Sequence, residues 1–291
     1  MGSDKNKFKL QGHEKFPLRE GWLNKGLRAI SEDPMVFTGK DIPAPDALGI
    51  GNNMVKSLRY WLKAYGLIND NGANGAELTE LGNDICLYDK YLEKNFTLWV
   101  LHSYIARNKE YATSWFLFFN RCDAFEMSKE QIFKIMNREL QALVPGEKYS
   151  EKSLMNDIDV LLNLYSKMSR EEDPEEKNTS PFVTLGLVKQ NNGVWNKTHP
   201  DRRTISEWEV LYELAVLMEG IDQISIEDAL NGENGIIKIY QITNILANEY
   251  LDRLDAMGYI NVSRTAGLDI IYRSNDFTAS SVVREYYKLH R

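Results

Sequence analysis

The sequence is short of most features by which a function announces itself. Among 291 residues there are only two cysteines, Cys86 and Cys122, and four histidines, His13, His102, His199 and His290. The cysteines lack CxxC or Cys/His ligand spacing, which excludes a disulfide framework and a zinc site. No histidine has a second His or Cys at ligand spacing, and inside its apolar helix His102 reads as a satisfied core histidine. Apolar runs such as Trp115 to Phe119 are far too short to span a membrane. The start, Met1 to Lys9, is polar and has no apolar signal-peptide core, so the sequence predicts a cytoplasmic protein with no membrane partner. There is no G-x-x-x-x-G-K-[ST], no G-x-S-x-G and no H-E-x-x-H. Gly49-Ile50-Gly51 lacks the third glycine and preceding strand of a dinucleotide loop. No cofactor is evident. A surplus of positive charge is missing too: 35 Lys and Arg stand against 42 Asp and Glu, a net charge of −7. A nucleic-acid site must therefore be a local basic face.

What is present is an ordinary globular composition, 43% hydrophobic and 26% charged, with 11% aromatics to anchor a core. The length allows one large domain or two to three small ones. Periodicity predicts a mainly α protein, α+β through small β-hairpin wings, with winged helix-turn-helix units at both ends of a helical scaffold. The expected domains are 1–85, an N-terminal winged helix; 86–205, a scaffold with a middle winged unit; and 206–291, a C-terminal winged-helix-like domain.

In the first domain a helix is expected from Phe16-Pro17-Leu18-Arg19 onward, then a helix from Asn53 to Tyr65 capped by Asn52 or Asn53, then a hairpin turn over Asn69 to Gly75. Met54, Leu58, Trp61, Leu62 and Tyr65 form the buried stripe of the Asn53–Tyr65 helix. Opposite them Asn52, Lys56, Arg59 and Lys63 form a polar stripe with three positive charges and no acid. The order of elements puts this helix in the recognition position of a winged helix. The stripe then reads as phosphate and groove contact, with Asn52 and Asn53 near base edges; the alternative is a solvated helix face. Lys15 and Arg19 add charge nearby. Residues 1–85 hold eleven basic and eleven acidic side chains, so the acidic excess lies downstream, in the Arg170–Lys177 loop and later helices.

Other candidates weigh less. His13 beside Glu14 is a poor acid/base pair, since adjacent side chains point apart. Asp157 and Asp159, at i and i+2 of a helix capped by Ser153, share no face and read as solvated rather than as magnesium ligands. Glu175-Glu176-Lys177 echoes a nuclease E-x-K but lies in a polar loop. Ser128 with Gln131 predicts a capping box. In the last domain the helix ending at Gly258 carries Glu249, Asp252 and Asp255 against Arg253 alone, which repels phosphate.

Several segments together resemble one bacterial family known mainly as a domain of unknown function. They include Gly12-His13-Glu14-Lys15-Phe16-Pro17-Leu18-Arg19, Leu48-Gly49-Ile50-Gly51-Asn52-Asn53-Met54 through Trp61, Thr79-Glu80-Leu81-Gly82, Thr97-Leu98-Trp99 and Leu185-Gly186-Leu187. The family is found in DNA phosphorothioation operons and is similar to SspB, the nicking component of Ssp-type modification and phage-defence systems. The resemblance implies double-stranded DNA as a partner, nicking with magnesium if the protein is a nickase, and a cysteine desulfurase, a PAPS-reductase-like enzyme and an ATPase as companions. It supplies no catalytic residue set. Two other readings stay open: a non-enzymatic adaptor for the sulfur-transfer enzymes, and a transcriptional regulator, for which a homodimer is expected.

Overall fold

The computed structural model describes residues 8–39, 42–166, 180–265 and 267–290. The Arg170–Lys177 loop and Ala266 lie outside them. Helix accounts for 55% and strand for 11% of the structure, which bears out a mainly α protein with small antiparallel sheets.

The chain opens with α1 (Trp22–Glu32), α2 (Ala44–Leu48), α3 (Asn52–Ala64), the antiparallel strands β1 (Ile68–Asp70) and β2 (Ala76–Leu78), and α4 (Glu80–Tyr88). α1 begins later than the sequence predicts, because Gly21, just before Trp22, takes left-handed backbone (φ 77°) and a helix from Phe16 cannot run through it. α3 buries Val55, Leu58, Trp61 and Leu62, each worth about 2–3 kcal/mol once removed from water. It packs on α1 at Gly26, where an added Cβ would lie 2.6 Å from Leu62 Cδ1; glycine lets the two helices approach closely. Gly66 ends α3 with φ 64°, and the Leu67 N–H returns to Leu62 O at 2.9 Å, a left-handed stop that aims the chain into β1. Thr79 Oγ1 accepts the Gly82 N–H at 3.1 Å and starts α4.

The middle holds α5 (Asn95–Arg107), α6 (Thr113–Arg121), α7 (Lys129–Leu143), α8 (Glu151–Ser166) and the hairpin β3 (Val188–Asn191) and β4 (Val194–Lys197). Trp99, Trp115, Phe116, Phe118 and Phe119 are fully buried here. Ser128 and Gln131 make the predicted capping box of α7. Ser153 is not a cap: α8 starts at Glu151, so Ser153 lies inside it.

The last third runs α9 (Glu207–Leu217), β5 (Gln223–Ser225), α10 (Ile226–Asn231), α11 (Ile236–Tyr240), α12 (Asn244–Ala256), β6 (Ile260–Thr265), β7 (Leu268–Arg273) and α13 (Ala279–Leu289). β5 adds to the predicted hairpin in the antiparallel order β5-β7-β6. α13 carries the end of the chain back to the beginning. Arg284 Nε donates to both Asp84 oxygens at 3.0 and 3.1 Å, Phe96 stacks on Tyr286 at 3.8 Å, and Tyr88 stacks on Tyr287 at 5.2 Å. Buried apolar side chains form one cluster from Leu18 to Tyr287. Among the described residues no helix is long and apolar enough to cross a membrane.

Candidate nucleic-acid interface

The basic stripe divides into a free half and a fastened half. Asn52, Asn53 and Lys56 are exposed at the start of α3, and their side chains make no hydrogen bond or ion pair among the described residues. Neither asparagine is the cap that the sequence suggests. Gly51 holds the N-cap position in extended backbone, and no side chain caps the helix. The two carboxamides therefore point outward, beside backbone N–H groups that have no helical acceptor, and a helix start of this kind attracts anions.

Arg59 and Lys63 are not free, as the stripe implied. Arg59 Nε donates to Asp70 Oδ2 at 2.9 Å, its terminal nitrogen reaches Oδ1 at 2.5 Å, and Lys63 Nζ lies 3.2 Å from Oδ2. The Gly72 N–H donates to Oδ1 at 3.0 Å. Burial alone would raise the Asp70 carboxyl, but hydrogen bonds from Arg59, the Gly72 N–H and Lys63, with the Arg59 charge, bring it down to about 2. Asp70 stays ionised, cancels one positive charge, and fastens α3 to the hairpin.

Lys15 and Arg19 sit apart from the stripe. Their segment binds the buried side of α3, where the Ser57 hydroxyl and the Trp61 indole N–H donate to Phe16 O at 3.3 and 3.2 Å. Lys15 is exposed, and the Arg19 guanidinium lies 5.6 Å from the Trp22 ring centre.

Asp157 overturns the expectation of a solvated carboxylate. It is buried and accepts hydrogen bonds from the Gln11 N–H (2.8 Å), the His13 ring (2.8 Å) and the Ser114 hydroxyl (2.6 Å). The Lys15 N–H donates to His13 Nδ1 at 3.1 Å, so the ring proton sits on Nε2 and goes to Asp157. His13 pairs with Asp157, 144 positions away, rather than with Glu14, and both are shielded from solvent. This network ties the N-terminal arm to α6 and α8. Asp159, on another face, binds Lys129 at 2.6 Å. His102 is the core histidine the sequence predicts: Nε2–H donates to Ile239 O (2.8 Å), and Nδ1 accepts the Tyr165 hydroxyl (2.7 Å). Burial brings its pKa down to about 3. Among the described residues no three His, Cys, Asp or Glu side chains gather to hold a metal ion.

The C-terminal helix α12 also differs from its sequence reading. Its acids do not face solvent unopposed. Arg264 of β6 donates to Asp252 at 2.7 Å and to Asn248 at 3.0 Å. Arg202 lies 3.6 Å from Glu249, and Arg253 3.3 Å from Glu207. Two of these three arginines come from outside the helix, beyond the reach of its periodicity. In the middle, the β3–β4 hairpin is held against residue 127 by a bridge between Met127 and Trp195.

Over residues 10–287 the chain matches the family described as a protein of unknown function, DUF4007. The chain belongs to the DUF4007 family. Two solved structures are similar across 96% of this chain and 88% of theirs, each 24% identical: the crystal structure of SspB, TM-score 0.81, and that of magnesium ion-bound SspB, TM-score 0.80. At that identity they show a shared fold. No curated protein matches the chain.

Proposed function

We propose that this DUF4007 protein engages double-stranded DNA through the N-terminal end of α3, set in a winged-helix unit made by α1–α3 and the β1–β2 hairpin, as the DNA-binding component of a phosphorothioate modification or anti-phage system. The observation that carries the reading is the free cluster Asn52, Asn53 and Lys56 at an uncapped helix start, on a helix braced against its hairpin by Asp70. Carboxamides suit base edges, and the lysine and open N–H groups suit phosphate. The phosphorothioation setting, with a cysteine desulfurase, a PAPS-reductase-like enzyme and an ATPase as partners, rests on the family resemblance and is supported by the fold shared with SspB. Nicking belongs to the same reading. The described residues gather no group of three His, Cys, Asp or Glu side chains to fit a magnesium ion.

Anisotropy of a labelled duplex across a salt series tests the DNA reading. Lys56→Glu is expected to weaken binding about fivefold to tenfold at low salt and to reduce the salt slope by about one. Absence of binding at low salt, or affinity indifferent to Lys56→Glu, refutes it. Relaxation of supercoiled plasmid with and without magnesium or manganese tests nicking separately.

The C-terminal unit favours a protein contact. Asp252 and Glu249 of its helix α12 are paired with arginines, and Ile245 near the helix start is 71% exposed, an apolar side chain that an adaptor would use.

A further inference from the structure

The groove between the β1–β2 hairpin and the α5–α6 junction continues the basic stripe of α3. It has a volume of about 600 Å³ and is lined by Lys63, Tyr104, Arg107, Lys109 and Tyr111, with Asp70 and Glu110 as its acids. That size suits a nucleotide-sized ligand. Lys63 belongs to both the stripe and the groove, so the two are continuous on the surface.

We infer that this groove holds an unpaired nucleotide of the DNA strand, its base on Tyr104 and its phosphate on Arg107 and Lys109; the inference rests on the DNA reading above. Tyr104 is 36% exposed, and its inner side is backed by Gly66, where the ring approaches so closely that no Cβ would fit. A ring braced on one side and open on the other is a stacking platform. Arg107 is fixed in place. Its Nε donates to Ser103 Oγ at 3.1 Å and lies 3.1 Å from Glu213 Oε1, and Tyr212 is a further partner. Ser103 and Glu213 are fully buried, so the guanidinium is pre-organised and loses little freedom on meeting a phosphate. Tyr111 gathers two more cations, with Lys63 at 4.7 Å and Lys9 at 5.5 Å from its ring centre. Of the acids, Asp70 is neutralised by Arg59 and Lys63, and Glu110 is exposed. An aromatic platform among fixed cations takes a base and its phosphate together. A paired duplex keeps its bases stacked inside, so the nucleotide must be unpaired.

The experiment measures the full chain by anisotropy against two probes, a fully paired duplex and the same duplex with a short central thymine bubble. The bubble is expected to bind about tenfold more tightly, the order of one stacked base. Tyr104→Leu and Lys109→Glu are expected to abolish that preference while leaving paired-duplex affinity within about twofold. Tyr104→Phe keeps the ring and is expected to keep the preference. Lys109 is exposed, so its variant decides the matter even if Tyr104→Leu fails to fold. Lys56→Glu weakens both probes alike. Equal affinity of the wild type for both probes, or a preference that survives Lys109→Glu, overturns the groove and leaves the DNA reading standing; binding to neither probe overturns both.

Discussion

The two ends of the molecule build the same local arrangement with opposite charge. At the N-terminal end α3 stops at left-handed Gly66 and enters β1–β2; at the C-terminal end α12 stops at left-handed Gly258 and enters β6–β7. Each helix is fastened to its hairpin by an ion pair. In the first, helix cations Arg59 and Lys63 hold a hairpin acid, Asp70. In the second, a helix acid, Asp252, holds a hairpin cation, Arg264. The first arrangement leaves Lys56 and two asparagines free on a positive face. The second leaves a charge-paired face with exposed Ile245. One backbone pattern thus leaves an unpaired lysine at one end and ion-paired arginines at the other, and the difference lies in which partner carries the acid.

The C-terminal unit is anchored to the scaffold by Glu213 of α9, buried against Arg107 of α5. Glu213→Ala strands that arginine, and chemical denaturation is expected to show a loss of about 3–5 kcal/mol. A loss under about 1 kcal/mol would mean that the Arg107–Glu213 pair adds little to the packing of α9 on α5.

A pH series sharpens the contrast next. Burial pushes Glu209 of α9 up to about 7, even though the Ser206 N–H and hydroxyl both donate to it at 2.7 Å. A carboxyl raised in the folded state binds its proton more tightly there than in the unfolded chain. Its contribution is fully present below about pH 4.5 and is lost as pH rises to about 7, on the order of 2–3 kcal/mol. Asp70 behaves oppositely: held down to about 2, its contribution is present above about pH 4 and is lost as pH falls to about 2. Thermal melts between pH 5 and 7.5 should therefore show stability falling, and Glu209→Gln should flatten the curve. A slope unchanged by that substitution would remove Glu209 as its source.

The smallest effect tests the fastenings themselves. Asp70→Asn leaves Arg59 and Lys63 without their carboxylate in a partly buried site and is expected to cost about 1–2 kcal/mol while strengthening duplex binding. Asp252 is 61% exposed on its side chain, so Asp252→Asn should stay within about 0.5 kcal/mol and leave duplex binding unchanged. Equal effects at the two sites would break the contrast.

Local patterns were legible where the physics is local. The α3 stripes, the Ser128 capping box and the C-terminal hairpin all follow from spacing within a turn or two. Three elements escaped it. β5 has three residues and forms only by pairing with β7. α11 has five residues and ends at left-handed Gln241. α13 buries only Val282, Val283 and Tyr287, a thin apolar signal.

By itself the sequence determined a mainly helical chain, the family it belongs to, and which face of α3 is polar, because those depend on residue order and helical period. Only the tertiary structure decided which charges on that face are free. It brought Asp70 across the hairpin turn to Arg59 and Lys63, and Arg202 and Arg264 to the acids of α12. It also sealed Asp157 against His13. An ion pair forms between side chains that folding brings within about 4 Å of each other, whatever their separation along the chain, and helical period carries no trace of it.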